Sequence, residues 1–322
     1  MRRLAVLLLG LLLPLSAVAA ISGVATNATT GKPQAELPLI LVQPGEQGMR
    51  PVGTARTNAQ GEFSFDAEPP ANGPLLVQAL YKGVTYTKSI APGQPRTGVA
   101  VDVFEVSNKG EGVVVDRHGI LIEPMENALA IREFVFVNNT SRTTYADPAS
   151  GTYRFWAPDN AKIDVTVTTQ GGMPVKREAV KTGAANTWKI DYPMRPGQTQ
   201  LEIGYEAPKG AKFSGNILHK NGETRLIVPR GLTLKGEGLT EFAPEPRTQA
   251  AIYGVPNGPF TVEILGKAQP PAQAEAAEEA GGGSPEVLPT RPRIYSKLYW
   301  IVGLTAAILA LGLYSLASKT KA

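Results

Sequence analysis

Between Ile21 and Gly266 the apolar residues come in short runs divided by turn clusters, with no sustained 3.6-residue periodicity. Where apolar residues alternate at a period of two, one face of a strand is buried and the other wet. That alternation links Phe63 with Phe65, Val77 with Ala79 and Tyr81, and Val99 with Val101 and Val103. Thirty-four glycines and 27 prolines in 322 residues supply the turns. The sequence predicts an all-β fold. No cysteine is present, so disulfides, thiolate zinc sites and cysteine nucleophiles are excluded together. Stability must then come from buried apolar surface, and residues 21–266 suffice for two ordinary domains.

The first predicted domain is 21–106, with strand candidates Leu37–Val42, Gly61–Phe65, Leu75–Tyr81, Val84–Ile90 and Val99–Phe104. Asn58-Ala59-Gln60-Gly61 is expected to close a short hairpin between Val52–Thr57 and the Phe63 strand, with Gly61 at positive φ. Ile21-Ser22-Gly23-Val24, Thr29-Thr30-Gly31-Lys32-Pro33, Leu39-Ile40-Leu41-Val42 and Thr57-Asn58-Ala59-Gln60-Gly61-Glu62-Phe63 resemble the carboxypeptidase regulatory-like domain. The resemblance covers about a quarter of the chain. It implies a prealbumin-like, seven-stranded antiparallel β-sandwich, a carbohydrate-binding-like fold found beside peptidases, transporters and surface adhesins. Peptidase activity does not come with it, because the only two histidines, His118 and His219, fit no His-x-x-Glu zinc pattern.

The second predicted domain, 107–266, has strand candidates Leu129–Val137, Tyr153–Trp156, Lys162–Thr168, Trp188–Tyr192, Gln200–Tyr205 and Thr224–Val228. It reads as a second, larger antiparallel β-sandwich. Its segments from Phe155 to Ala161 and from Tyr192 to Thr199 resemble those of membrane-anchored bacterial proteins that pair this region with the regulatory-like domain. Residues 267–294 are an Ala, Pro, Glu and Gly-rich linker that cannot bury enough apolar surface to order itself.

The two ends predict localisation. Arg2 and Arg3 precede a leucine-rich run, and small residues follow, so residues 1–20 read as a signal peptide cleaved after Ala19 or Ala20. Residues 295–318 read as one transmembrane helix, since about 20 apolar residues cross a hydrocarbon core roughly 30 Å thick. Arg291, Arg293, Tyr295, Lys297, Tyr299, Trp300, Lys319 and Lys321 suit membrane-interface anchors. The expected arrangement is a single pass through the cytoplasmic membrane, with the bulk of the chain extracytoplasmic and residues 319–322 cytoplasmic. The formal charge of +4 lies mostly at these ends, leaving residues 20–290 slightly acidic. Nucleic-acid binding is therefore not indicated.

No catalytic constellation is legible in the sequence. His118, after Asp116-Arg117 and before Gly119, reads as a loop or hairpin residue, and His219 beside Lys220-Asn221-Gly222 reads the same way. Asp147, Asp159, Asp164 and Asp191 lack the alternating spacing of a calcium loop. No cofactor or metal is expected. Tyr81, Tyr86 and Trp156 are the candidate ligand-binding aromatics, with the Tyr81-Lys82-Gly83-Val84-Thr85-Tyr86 turn preferred; Tyr145, Tyr153 and Trp188 are further aromatics of the same kind, and core packing is the competing role for each. The functional expectation is a non-enzymatic, membrane-anchored protein for protein interaction or envelope scaffolding. Its partners would be membrane lipid and an envelope protein. The alternative is a carbohydrate or peptidoglycan-binding module, and an unrecognised enzyme stands third.

Overall fold

The computed structural model describes residues 21–45, 48–66 and 73–269. The predicted signal peptide, nearly all of the predicted linker, the predicted transmembrane helix and the eight predicted interface anchors lie outside the described residues. Among those described, the secondary structure is all β, and no helix is long and apolar enough to cross a membrane.

Residues 21–103 form two four-stranded sheets. One pairs Ile21–Asn27 with Lys32–Pro33, Glu62–Phe65 and Val99–Val103; the other runs Gly48–Arg56, Pro38–Gly45, Leu75–Tyr81, Val84–Ile90. Their inward residues share one core that includes Ile21, Leu39, Leu41, Phe65, Val77 and Val101. The Asn58–Gly61 turn forms, with the Asn58 side chain accepting from the Gln60 and Glu62 amides at 3.0 and 2.9 Å. It does not close a hairpin, because Gly48–Arg56 and Glu62–Phe65 belong to different sheets. Thr57 makes the crossing, buried and bonded through Oγ1 to the Leu37 amide and the Gln34 carbonyl.

Residues 113–266 form an eight-stranded sheet and two three-stranded sheets around a second core. The large sheet runs Val175–Arg177, Asp164–Thr169, Gly197–Pro208, Ala128–Asn139, Val113–Pro124, Glu223–Val228, Ala251–Val255, Thr240–Phe242. The pairing departs from the wholly antiparallel arrangement that the sequence predicts. Ile21–Asn27 with Val99–Val103, Val113–Pro124 with Glu223–Val228, and Val106–Ser107 with Thr144–Tyr145 are parallel. In each case the partners are distant in sequence, so no tight turn dictates their direction.

Val113–Pro124 also corrects the loop expected at Asp116–Gly119. It is one 12-residue strand with a bulge, in which Val115 pairs with Val137 and Arg117 with Phe136. Asp116 is the extra residue, and it changes the phase of the alternation. Val115 faces the core before the bulge; His118, Ile120 and Ile122 face it afterwards. An acidic residue, an arginine and a glycine around His118 resemble a turn in sequence, and the bulge accommodates them inside a strand.

Candidate functional site

Two polar constellations stand out. The first is buried except at His219, which lines an open cleft of about 470 Å³. His118, on the bulged strand, and Glu133, on its neighbour Ala128–Asn139, are both 4 % exposed. His118 Nε2 lies 3.0 Å from Glu133 Oε2, and His118 Nδ1 lies 3.0 Å from His219 Nε2. Tyr205 donates from its hydroxyl to Glu133 Oε1 at 2.9 Å. His219 sits in the loop after Lys212–Ile217, as its sequence neighbours predict, with Nδ1 2.6 Å from the Asn221 carbonyl.

These contacts fix most of the protons. The Asn221 carbonyl only accepts, so His219 Nδ1 carries hydrogen and a neutral His219 presents a lone pair at Nε2. Two lone pairs 3.0 Å apart would repel, so His118 Nδ1 donates to it. One further proton then lies between His118 Nε2 and Glu133 Oε2, making either an imidazolium–carboxylate or an imidazole–carboxylic acid pair. Both forms leave the pair neutral overall, which suits its burial. Burial, followed by the His118 charge, holds His219 below its usual pKa. Burial and the neighbouring Glu133 raise the Tyr205 and Tyr153 hydroxyls well above the usual phenol range. The void bordered by His118, Glu133, Tyr205 and His219 is about 10 Å³, room for at most one water. Among the described residues no group of three or more acidic and histidine side chains converges as metal ligands.

The second constellation is open. A cleft of about 660 Å³ is lined by Lys82, Thr85, Thr87, Arg177, Asp191 and Arg195 among others. It therefore draws on both cores' sheets. Arg195 donates from Nη2 to the Thr85 carbonyl at 2.8 Å and stacks over the Tyr86 ring at 5.4 Å. Its Nε is buried and meets no hydrogen-bond acceptor among the described residues, an omission that costs about 1–3 kcal/mol. Arg177 stacks over Tyr192 at 5.1 Å. Neither guanidinium has a carboxylate partner among the described residues. Lys82 is different, since it pairs with Glu105. That pairing, with further hydrogen bonds from Tyr81 and Asn27, lowers the Glu105 carboxyl to about 2.

The aromatic candidates separate. Tyr86 is 2 % exposed, with its hydroxyl bonded to the Phe104 carbonyl and Thr144 Oγ1. Its ring belongs to the core beneath the cleft and offers no open face for stacking on a sugar. Tyr81 is partly exposed and donates to Glu105 Oε1 at 2.7 Å. Trp156 is half-buried, edge-on to Phe213, and away from the cleft. Of the Tyr81–Tyr86 turn, Lys82, Gly83, Val84 and Thr85 line the cleft and the two tyrosines do not. The cations Arg177 and Arg195 lie 18 residues apart and roughly 100 residues from Lys82, so only the fold assembles them.

Comparison with known proteins adds little. No family model matches the chain, and no curated protein matches it. Among solved structures, an M1 zinc metallopeptidase from Deinococcus radiodurans is similar over 49 % of this chain and 43 % of its own, with 13 % identity and a TM-score of 0.29. Native yeast LTA4 hydrolase is similar over 48 % of this chain and 29 % of its own, with 7 % identity and a TM-score of 0.33. The chain thus spans less than half of either one. Neither the chemistry in those names nor their metal is carried to this chain.

Proposed function

We propose that this is a non-enzymatic, membrane-tethered interaction protein. In this reading the leader exports the chain, residues 295–318 anchor it in the cytoplasmic membrane, and two tandem β-sandwich modules, 21–106 and 107–266, stand outside for an envelope protein partner. The observation that carries the interaction is the open cleft with two guanidiniums lacking a carboxylate partner among the described residues. Such groups are desolvated profitably by a ligand carrying carboxylates. In the one constellation with acid–base chemistry, His118 and Glu133 border a void of about 10 Å³, too small for a substrate, and only the His219 end reaches an open cleft, of about 470 Å³. The glycan alternative loses one of its two preferred aromatics with the burial of Tyr86, while Tyr81 stays partly exposed.

Mild crosslinking in cells, detergent extraction and mass spectrometry test the reading. Recovery only as a lone chain would overturn the interaction. The anchor is tested separately: the full chain should pellet with membranes after an alkaline wash, and a chain ending at Lys267 should not.

A further inference from the structure

We propose that the cleft takes an extended, carboxylate-bearing segment of a partner protein, added as a strand to the open edge of Val84–Ile90 with its acidic side chains against Arg177 and Arg195. This deepens the interaction reading above and rests on it.

The backbone argument starts at the turn. Lys82 and Gly83 both take positive φ, 48° and 79°, the two-residue type I′ turn that makes Tyr81 and Val84 a hydrogen-bonded pair. Hydrogen-bonded pairs alternate along an antiparallel ladder. Tyr86, Lys88 and Ile90 therefore direct their backbone groups to Leu75–Tyr81, and Thr85, Thr87 and Ser89 direct theirs away. Val84–Ile90 is an edge strand, with no strand partner on that side among the described residues. Arg195 Nη2 already bonds one outward group, the Thr85 carbonyl. Thr87, which is exposed and lines the cleft, has no further backbone partner among the described residues.

The opposite lining includes a second unpaired edge. Val175–Arg177 ends the eight-stranded sheet and brings Val175, 39 % exposed, and Arg177 to the same cleft. An extended chain matches this setting because it offers N–H and C=O groups at the strand repeat and side chains on alternating faces. An anionic polysaccharide offers the charge without the backbone groups. The preference for carboxylates follows from the charges. Lys82 is occupied by Glu105, Arg177 and Arg195 have no carboxylate partner among the described residues, and Asp191 is the one acidic side chain lining the cleft.

The test uses the full-length chain in detergent and a fluorescent short peptide alternating threonine and glutamate, followed by anisotropy. Saturable binding is expected, weakening at least tenfold in Arg177→Glu, a change at an exposed position. Thr87→Pro removes the outward N–H, which an edge strand tolerates, and should abolish binding; Thr87→Val should not. If Thr87→Pro does not fold, N-methylation of alternate peptide amides replaces it, and only one of the two registers should bind. No saturable binding, equal binding by a threonine–lysine peptide, equal binding by both N-methylated registers, or displacement by polygalacturonate as efficient as by the unlabelled peptide would each overturn strand addition. Photo-crosslinking residues at Thr87 and at Met125 separate the two levels in cells. Protein adducts at Thr87 that vanish in Arg177→Glu support the inference. Adducts from Met125 alone overturn it and leave the interaction reading standing, whereas no adduct from either counts against both.

Discussion

Glu133 shows how closely a buried polar residue is specified. It accepts from Tyr205 at one oxygen and shares a proton with His118 at the other. A glutamine reproduces both contacts, because its carbonyl accepts from Tyr205 and its amide donates to a neutral His118. Glu133→Gln should therefore change stability by no more than about 1 kcal/mol, whereas Glu133→Leu, which strands His118 and Tyr205 in the core, should cost about 3–5 kcal/mol. Urea unfolding of the two variants checks the contrast. His219 sets a pH dependence. Its folded pKa lies below the ordinary value of 6.5, so below that pH the unfolded chain binds a proton that the folded chain declines. Stability should fall as pH drops through about 6.5. Melting temperatures at pH 7.5 and 5.5 should differ less in His219→Gln than in the native chain.

At the scale of elements, the bulge gives the clearest prediction. Val115 and Arg117 already face consecutive partners, Val137 and Phe136. Deleting Asp116 leaves every later residue on its present face and should cost no more than about 1 kcal/mol. Deleting Gly119 instead turns Ile120 and Ile122 toward the opposite face and should cost more than about 3 kcal/mol, at roughly 1.5–3 kcal/mol for each buried side chain lost. Thermal melts of the two deletions decide. This element also marks where the sequence stopped being legible. Tyr153–Trp156, Leu75–Tyr81 and Val84–Ile90 were predicted to the residue, because alternation and flanking turns agree in all three. Asp116-Arg117-His118-Gly119 carries turn residues within a strand, and period-two reasoning fails where one residue is extra. The partners of His118 were illegible for a second reason: Glu133 and His219 reach it through a neighbouring strand and a loop 101 residues away.

On the scale of the whole molecule, the two cores are joined by the short parallel pair Val106–Ser107 with Thr144–Tyr145, by the Arg195–Thr85 bond and by a few further side-chain hydrogen bonds. Tyr86 and Thr144 hydroxyls meet at 2.8 Å, Thr29 donates to the Arg142 carbonyl at 2.5 Å, and Arg142 donates to the Ala28 carbonyl at 3.0 Å. The native chain should melt in one transition, and Thr29→Val combined with Thr144→Val should separate it into two by differential scanning calorimetry. A single unchanged transition would show that other contacts carry the coupling. None of these side-chain pairings was visible in the sequence, since each joins residues more than 50 positions apart.

The parallel pairing of Ile21–Asn27 with Val99–Val103 has a consequence in time. Gly23 meets Val99, made 76 residues later. At a synthesis rate of about 5–20 residues per second, one side of the first strand waits roughly 4–15 s for its neighbour. During that interval its backbone is open to any other extended chain, so the newborn molecule passes through a sticky stage that the finished sheet conceals.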